Sequence, residues 1–138
     1  MAEKNSIDVL LVEDSPDHIE LASRVFQKIN PPLHIKIIQD AEEALNFLWG
    51  REYYKDQGPM RPLLTILDLY LPKMSGSELL RQLRLDPRTR DLSIAILTIT
   101  GNEQHTLTQD PYLVKHYLRK PLELNSFLEL YNLYIKKK

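Results

Sequence analysis

The sequence predicts an α/β fold: one doubly wound sheet of five parallel strands, with helices on both faces. Two observations carry this. Short β-branched apolar runs alternate with segments whose apolar residues recur at helical spacing, and the pair repeats five times. Repeated strand-then-helix units imply parallel strands joined by right-handed crossovers. The chain is also 138 residues long. That length suits a complete flavodoxin-like sheet of order 2-1-3-4-5 better than a fragment of a larger Rossmann or barrel fold.

The elements follow in order. Ile7 to Val12 (IDVLLV) is short, β-branched and bounded by acids, and reads as a buried strand. Ser15 and Pro16 supply an N-cap and a first helical residue. Ile19, Leu21, Ala22, Val25, Phe26 and Ile29 then keep helical spacing until Asn30-Pro31-Pro32. Leu33 to Ile38 alternates and predicts a second strand. Ala41 to Trp49 carries Ala44, Leu45, Leu48 and Trp49 on one stripe. Gly50 to Pro62 is polar and holds Gly58-Pro59, so a loop or frayed helix end is expected. Leu63 to Leu67 is a third strand. Ser75 to Leu85 is a third helix with Leu79, Leu80 and Leu83 inward. Ile94 to Thr98 is a fourth strand, and Asn102 to Gln109 a weak fourth helix stopped by Pro111. His116 to Arg119 is a short fifth strand, and Leu122 to Lys138 a long amphipathic fifth helix.

Composition narrows the function classes. Apolar residues make up 43% of the chain, enough for a packed core. There is no cysteine, which excludes a disulfide scaffold and a thiolate metal site and fits a reducing cytoplasm. The amino terminus reads as neither a signal peptide nor a membrane span. Eighteen basic and nineteen acidic residues give a formal charge of −1, without the footprint of a nucleic-acid binder. Lys136, Lys137 and Lys138 read as solvated charge at a helix end.

In such a sheet a site forms beyond the carboxyl ends of the strands, where strands 1 and 3 become neighbours. Glu13 and Asp14 end strand 1 and Asp68 ends strand 3. Three carboxylates in one crevice repel unless protons or a cation intervene, and hard oxygen donors suit magnesium. Thr98 ends strand 4, and Lys120 follows strand 5. A phosphoryl group on Asp68 would have three oxygens to satisfy. Mg2+, the Lys120 ammonium and the Thr98 hydroxyl could each take one. Singly, each residue has a plainer reading as a helix cap, a strand-end hydroxyl or a solvated lysine; their joint placement makes the case.

The motifs LLVEDSP (Leu10 to Pro16), LDLYLPKMSG (Leu67 to Gly76), LT (Leu97-Thr98) and YLRKP (Tyr117 to Pro121) resemble the receiver domain of two-component response regulators. The spacing agrees: Asp68 follows Asp14 by 54 residues, Thr98 follows Asp68 by 30, and Lys120 follows Thr98 by 22. The resemblance runs from Val9 to about Tyr131, and the whole chain, 1–138, is expected to be a single receiver without an output domain. It implies Asp68 as phosphoacceptor, Glu13 and Asp14 as the acid pair for Mg2+, and the Tyr70 backbone carbonyl as a further metal ligand. It implies Thr98 and Tyr117 as a switch pair and Lys120 as the site ammonium. The partner implied is a sensor histidine kinase, in a cytoplasmic phosphorelay without nucleic-acid or membrane contact. The VEDSP opening, the segment Arg51 to Pro62 and the LDLxLPKM string resemble the small regulators paired with phytochromes.

Some positions depart from that pattern. Ile99 follows Thr98 where a small residue is usual. Ser93 replaces a common proline, Ser75 replaces an aspartate before Gly76, and Leu113 stands where the family tends to have glycine. Three rival readings fit the residues less well. An aspartate-nucleophile phosphatase of the haloacid-dehalogenase type needs Asp-x-Asp, and here the second position is Tyr70. A pseudo-receiver that binds partners without phosphorylation is opposed by intact Asp68, Thr98 and Lys120. A flavin site lacks an anion nest in EDSPD. The chain is thus expected to be a phosphoacceptor and no enzyme, beyond self-phosphorylation from small donors and slow self-dephosphorylation.

His18, His34, His105 and His116 show no ligand spacing and read as structural or surface residues. Tyr53-Tyr54 could meet a kinase or form a lid over the sheet edge, and Trp49 reads as core or contact surface. On the fifth helix, Leu124, Phe127, Leu128 and Tyr131 should dock on the sheet. Leu130, Leu133 and Tyr134 would then face outward and pair two copies as a homodimer, the alternative being that this cluster covers strand 5 or receives the kinase.

Overall fold

The computed structural model describes residues 6–99, 107–109 and 111–136. Strands β1 (Val9–Val12), β2 (Ile35–Ile38), β3 (Leu64–Asp68), β4 (Ile94–Thr98) and β5 (His116–Arg119) form one parallel sheet of order β2-β1-β3-β4-β5. The register sets Val12 beside Leu67, Asp68 beside Leu97 and Thr98 beside Arg119, so the strands end at nearly one level. The three inner strands are buried at every position. Their two-sided burial explains why they read as near-continuous apolar runs, with Thr65 inside β3 as a buried exception.

Alternation splits the core in two. Val9, Leu11, Leu64, Ile66, Ala95, Leu97 and Leu118 face α1 (Pro16–Phe26) and the C-terminal helix (Leu124–Leu130). Leu10, Val12, Leu67, Ile94 and Ile96 face α2 (Ala41–Trp49) and α3 (Gly76–Leu85). Each of the first three helices starts on a side-chain cap. Ser15, Asp40 and Ser75 accept from the backbone N–H of His18, Glu43 and Glu78 at 3.3, 2.8 and 3.1 Å. Such caps contribute about 1 kcal/mol each. The serine that replaces an aspartate at position 75 therefore still does an N-cap's work.

Strands 1 to 3 start one or two residues later than expected, and β3 extends to include Asp68. Most of the expected fourth helix, Asn102 to Gln109, lies outside the described residues. Within the 50–62 loop, Tyr54 is buried while Tyr53 is 87% exposed. Tyr54 stacks edge-on against Phe47, its hydroxyl donates to Glu43 at 2.7 Å, and the Lys36 ammonium of β2 sits over both rings. The loop thus lies over the β2 edge. Burial and the Glu43 bond push the Tyr54 hydroxyl up to about 12.

The C-terminal helix corrects the expected face. Phe127, Leu130 and Ile135 are buried, with Phe127 edge-on to Phe26 of α1 at 5.1 Å. Leu124, Leu128 and Tyr131 are half-buried against the same core. Leu130 thus points inward, and Tyr134 covers the β5 edge, its hydroxyl 2.6 Å from His116 Nε2. Of the three residues expected outside, Leu133 alone is exposed, at 49%. Leu130 lies three residues after Phe127 and Tyr134 seven after it, so ordinary helical spacing already sets both on the Phe127 side. A wide last turn over Tyr131–Ile135, closed by Lys136 N–H to the Tyr131 carbonyl at 2.8 Å, ends the helix.

Candidate functional site

The site follows from alternation. Two residues past Leu11, Ile66 and Leu118 come Glu13, Asp68 and Lys120, which continue the rows facing α1. Oxygens of Glu13, Asp14 and Asp68 lie within 4.8 Å of one another. Glu13 and Asp68 are buried, whereas Asp14 is exposed. Lys120 enters from β5, itself largely buried, with Nζ 3.1 Å from Glu13 Oε1 and 3.1 Å from Asp68 Oδ2. Its backbone N–H donates to the Thr98 carbonyl at 2.9 Å, which ties the ends of β4 and β5.

Among the described residues, the Lys120 ammonium faces three carboxylates, so the crevice stays electronegative. Burial, and next the charge of Asp68, push the Glu13 carboxyl above its ordinary value; the Ser15 N–H and Lys120 pull the other way. Glu13 Oε2 accepts from Ser15 N–H at 3.2 Å. Its other oxygen is buried and meets Lys120 as an ion pair without hydrogen-bond alignment. A buried carboxylate oxygen left short of donors, beside two more carboxylates, is what a hard divalent cation would satisfy.

Asp68 is held by the chain that follows it. Tyr70 N–H donates to Asp68 Oδ1 at 3.1 Å, while the Tyr70 side chain is 59% exposed. Gly76 N–H donates to the Leu69 carbonyl at 2.8 Å. A Cβ at Gly76 would run into the Asp68 carbonyl oxygen and, at 2.5 Å, Leu69 Cα. Glycine there lets α3 start hard against the strand end that carries the aspartate.

The structure therefore brings together Glu13, Asp14, Asp68 and Lys120, as expected. Thr98 is buried at the end of β4, on the face that Ile94 and Ile96 share. Tyr117 pairs with Ile96 in register and lies half-buried on that same face. Its hydroxyl donates to the Val114 carbonyl at 3.4 Å, and burial raises its pKa. One residue was missed. His18, read as structural or surface, stands in the crevice with Nδ1 3.1 Å from Lys120 Nζ and 3.5 Å from Glu13 Oε2. A signal existed: His18 lies one turn before Ala22, on the stripe that continues through Val25 and Phe26 toward the sheet.

Residues 9–132 match the family model of the response regulator receiver domain. The chain belongs to that family. It is 32% identical over 114 residues to the probable methanogenesis regulatory protein FilR2 of Methanothrix harundinacea, covering 83% of this chain and 72% of that protein. It is 30% identical over 122 residues to response regulator Rcp1 of Synechocystis sp., covering 88% and 82%. Among solved structures, the bacteriophytochrome response regulator AtBRR superposes with a TM-score of 0.82 at 28% identity, covering 92% of this chain and 91% of that one. The Mn2+-bound form of Rcp1 gives 0.72 at 29% identity, covering 90% and 88%. The receiver is a signalling domain of two-component systems, and phytochrome-associated regulators are among its relatives. Among the described residues, no helix is long and apolar enough to cross a membrane.

Proposed function

We propose that this receiver takes its phosphoryl group onto Asp68 from a sensor histidine kinase, with Mg2+ held by Glu13, Asp14, Asp68 and the Tyr70 carbonyl. The observation that supports it best is Asp68 itself: a buried carboxylate 3.1 Å from Lys120 and grouped with two more acids. An Asp68 oxygen attacks phosphorus, the phosphorus–nitrogen bond of the kinase phosphohistidine breaks, and the imidazole leaves with a proton from solvent. When bound, Mg2+ supplies charge neutralisation for the transferring group. Lys120 and the Thr98 hydroxyl take phosphoryl oxygens. Thr98 and Tyr117, on one face of the sheet, then form the switch that alters partner contacts.

The finer partner assignments belong to the same reading. The kinase is a phytochrome, as the names of several relatives suggest, and the setting is cytoplasmic. The receiver spans 1–138. Tyr70, beside the path of an attacking water, makes self-dephosphorylation slow. Two copies pair through the C-terminal helix, a reading that now rests on Leu133. Incubating the protein with acetyl phosphate and Mg2+, then reading its intact mass, tests the function. One added phosphoryl group is expected, and none when Mg2+ is chelated. Equal labelling with and without the cation would refute the metal-assisted route.

A further inference from the structure

We infer that His18 is a positioning residue for Lys120, accepting a hydrogen bond at Nδ1 from the ammonium and carrying its own proton on Nε2. This rests on the reading of Asp68 as phosphoacceptor and adds a residue to its machinery. The ammonium can only donate, so a nitrogen 3.1 Å away must offer it a lone pair. Glu13 Oε2 makes the opposite demand on the same nitrogen, but from 3.5 Å, and it already accepts from Ser15 N–H. The shorter contact decides the tautomer.

The location gives the contact its use. Lys120 has two anionic neighbours, Glu13 and Asp68. Both are the groups a divalent cation would share, and Asp68 changes character when it becomes an acyl phosphate. Among the described residues the imidazole is the remaining partner of the ammonium, and in the inferred tautomer it meets Lys120 as an uncharged acceptor. Fixed to the first turn of α1 by its capped backbone, His18 holds the ammonium over the crevice while the charges around it change. The Lys120 stem is long and rotamer-rich, so an ammonium without this brace spends less time where a phosphoryl oxygen arrives.

Two measurements test this on the full chain. In 15N-histidine spectra of the wild type, His18 should show a protonated Nε2 and an unprotonated Nδ1. That preference should relax in Lys120→Met. In parallel, the rate of phosphorylation by acetyl phosphate at saturating Mg2+ is compared across variants. His18→Ala should be slower by about tenfold, the worth of one hydrogen bond to a charged group. His18→Asn, which returns an acceptor near the Nδ1 position, should recover most of the rate. A role confined to helix stability predicts the reverse order, because alanine is the better helix former. A protonated Nδ1 in the wild type, or an alanine variant as fast as asparagine, overturns the inference. If the wild type itself takes no phosphoryl group, the Asp68 reading fails instead, and the tautomer alone then decides whether His18 accepts from Lys120.

Discussion

The two ends of the sheet solve opposite problems. At the carboxyl ends of the strands, Glu13, Asp14 and Asp68 crowd together against one ammonium. At the amino ends, charges are matched. The Arg84 guanidinium donates to the carbonyls of Tyr112, Arg90 and Leu92 at 2.8, 2.9 and 2.8 Å. Arg88 pairs with Asp86 at 2.8 Å, and Arg61 pairs with Asp91 at 2.8 Å. Arg88 and Arg51 flank Trp49, whose indole N–H donates to Thr89 at 3.3 Å. Repulsion stored at one end leaves room for a cation and a phosphoryl group. Satisfied polar groups at the other end hold the frame that keeps it stored.

The contrast is broken most strongly at Arg84. Arg84→Met keeps the stem but strands three carbonyls, and should cost about 3 kcal/mol in urea unfolding. A loss within error would mean that solvent already serves those carbonyls. The opposite sign is expected at the other end. In chelator, Asp68→Asn removes like charge beside Glu13 while Lys120 keeps Glu13 and His18. It should stabilise the protein by about 1 kcal/mol while abolishing phosphoryl acceptance. A lower melting temperature than the wild type would show that the crevice is not repulsive. Mg2+ should raise the melting temperature of the wild type more than that of the variant, by mass action.

Leu113 is an exception at the matched end. Its φ is 53°, and its side chain is 50% exposed, so little packing offsets the left-handed backbone. Leu113→Gly should stabilise by somewhat under 1 kcal/mol, with destabilisation as the contrary result. The smallest effect is the acid response of Asp86. The Arg88 hydrogen bond is the main reason its carboxyl falls from 3.8 to about 2. A folded pKa below the unfolded one stabilises above pH 4, and the gain is lost as pH falls through 2. Arg88→Ala should flatten that part of the pH–stability curve. An unchanged acid limb would show that the exposed pair contributes nothing.

Legibility in the sequence followed the same division. The inner strands announced themselves because burial on both faces leaves little but apolar residues. Their last residues could then be named, and with them Glu13, Asp68 and Thr98, while Lys120 follows the edge strand β5. The first helices were legible through Ser15, Pro16 and the apolar stripes. The C-terminal helix was legible as a helix but not in its rotation, because apolar residues crowd its length and more than one stripe competes; the inward one runs through Phe127, Leu130 and Tyr134 at ordinary spacing. His18 escaped for another reason. Its partner Lys120 lies 102 residues away, and histidine spacing along the chain carries no trace of a contact made across the sheet. The Arg84 cluster went unread likewise, since its acceptors are backbone carbonyls that any residue type could supply.

The central claim is that Asp68 takes the phosphoryl group. Its most direct test is to treat wild type and Asp68→Asn with acetyl phosphate and Mg2+, trap the product at low temperature, and locate the modification by peptide mass mapping. The account predicts one phosphoryl group on the peptide containing Asp68 and an unmodified variant. A wild type labelled on another residue, or a variant labelled as fully as the wild type, would contradict it.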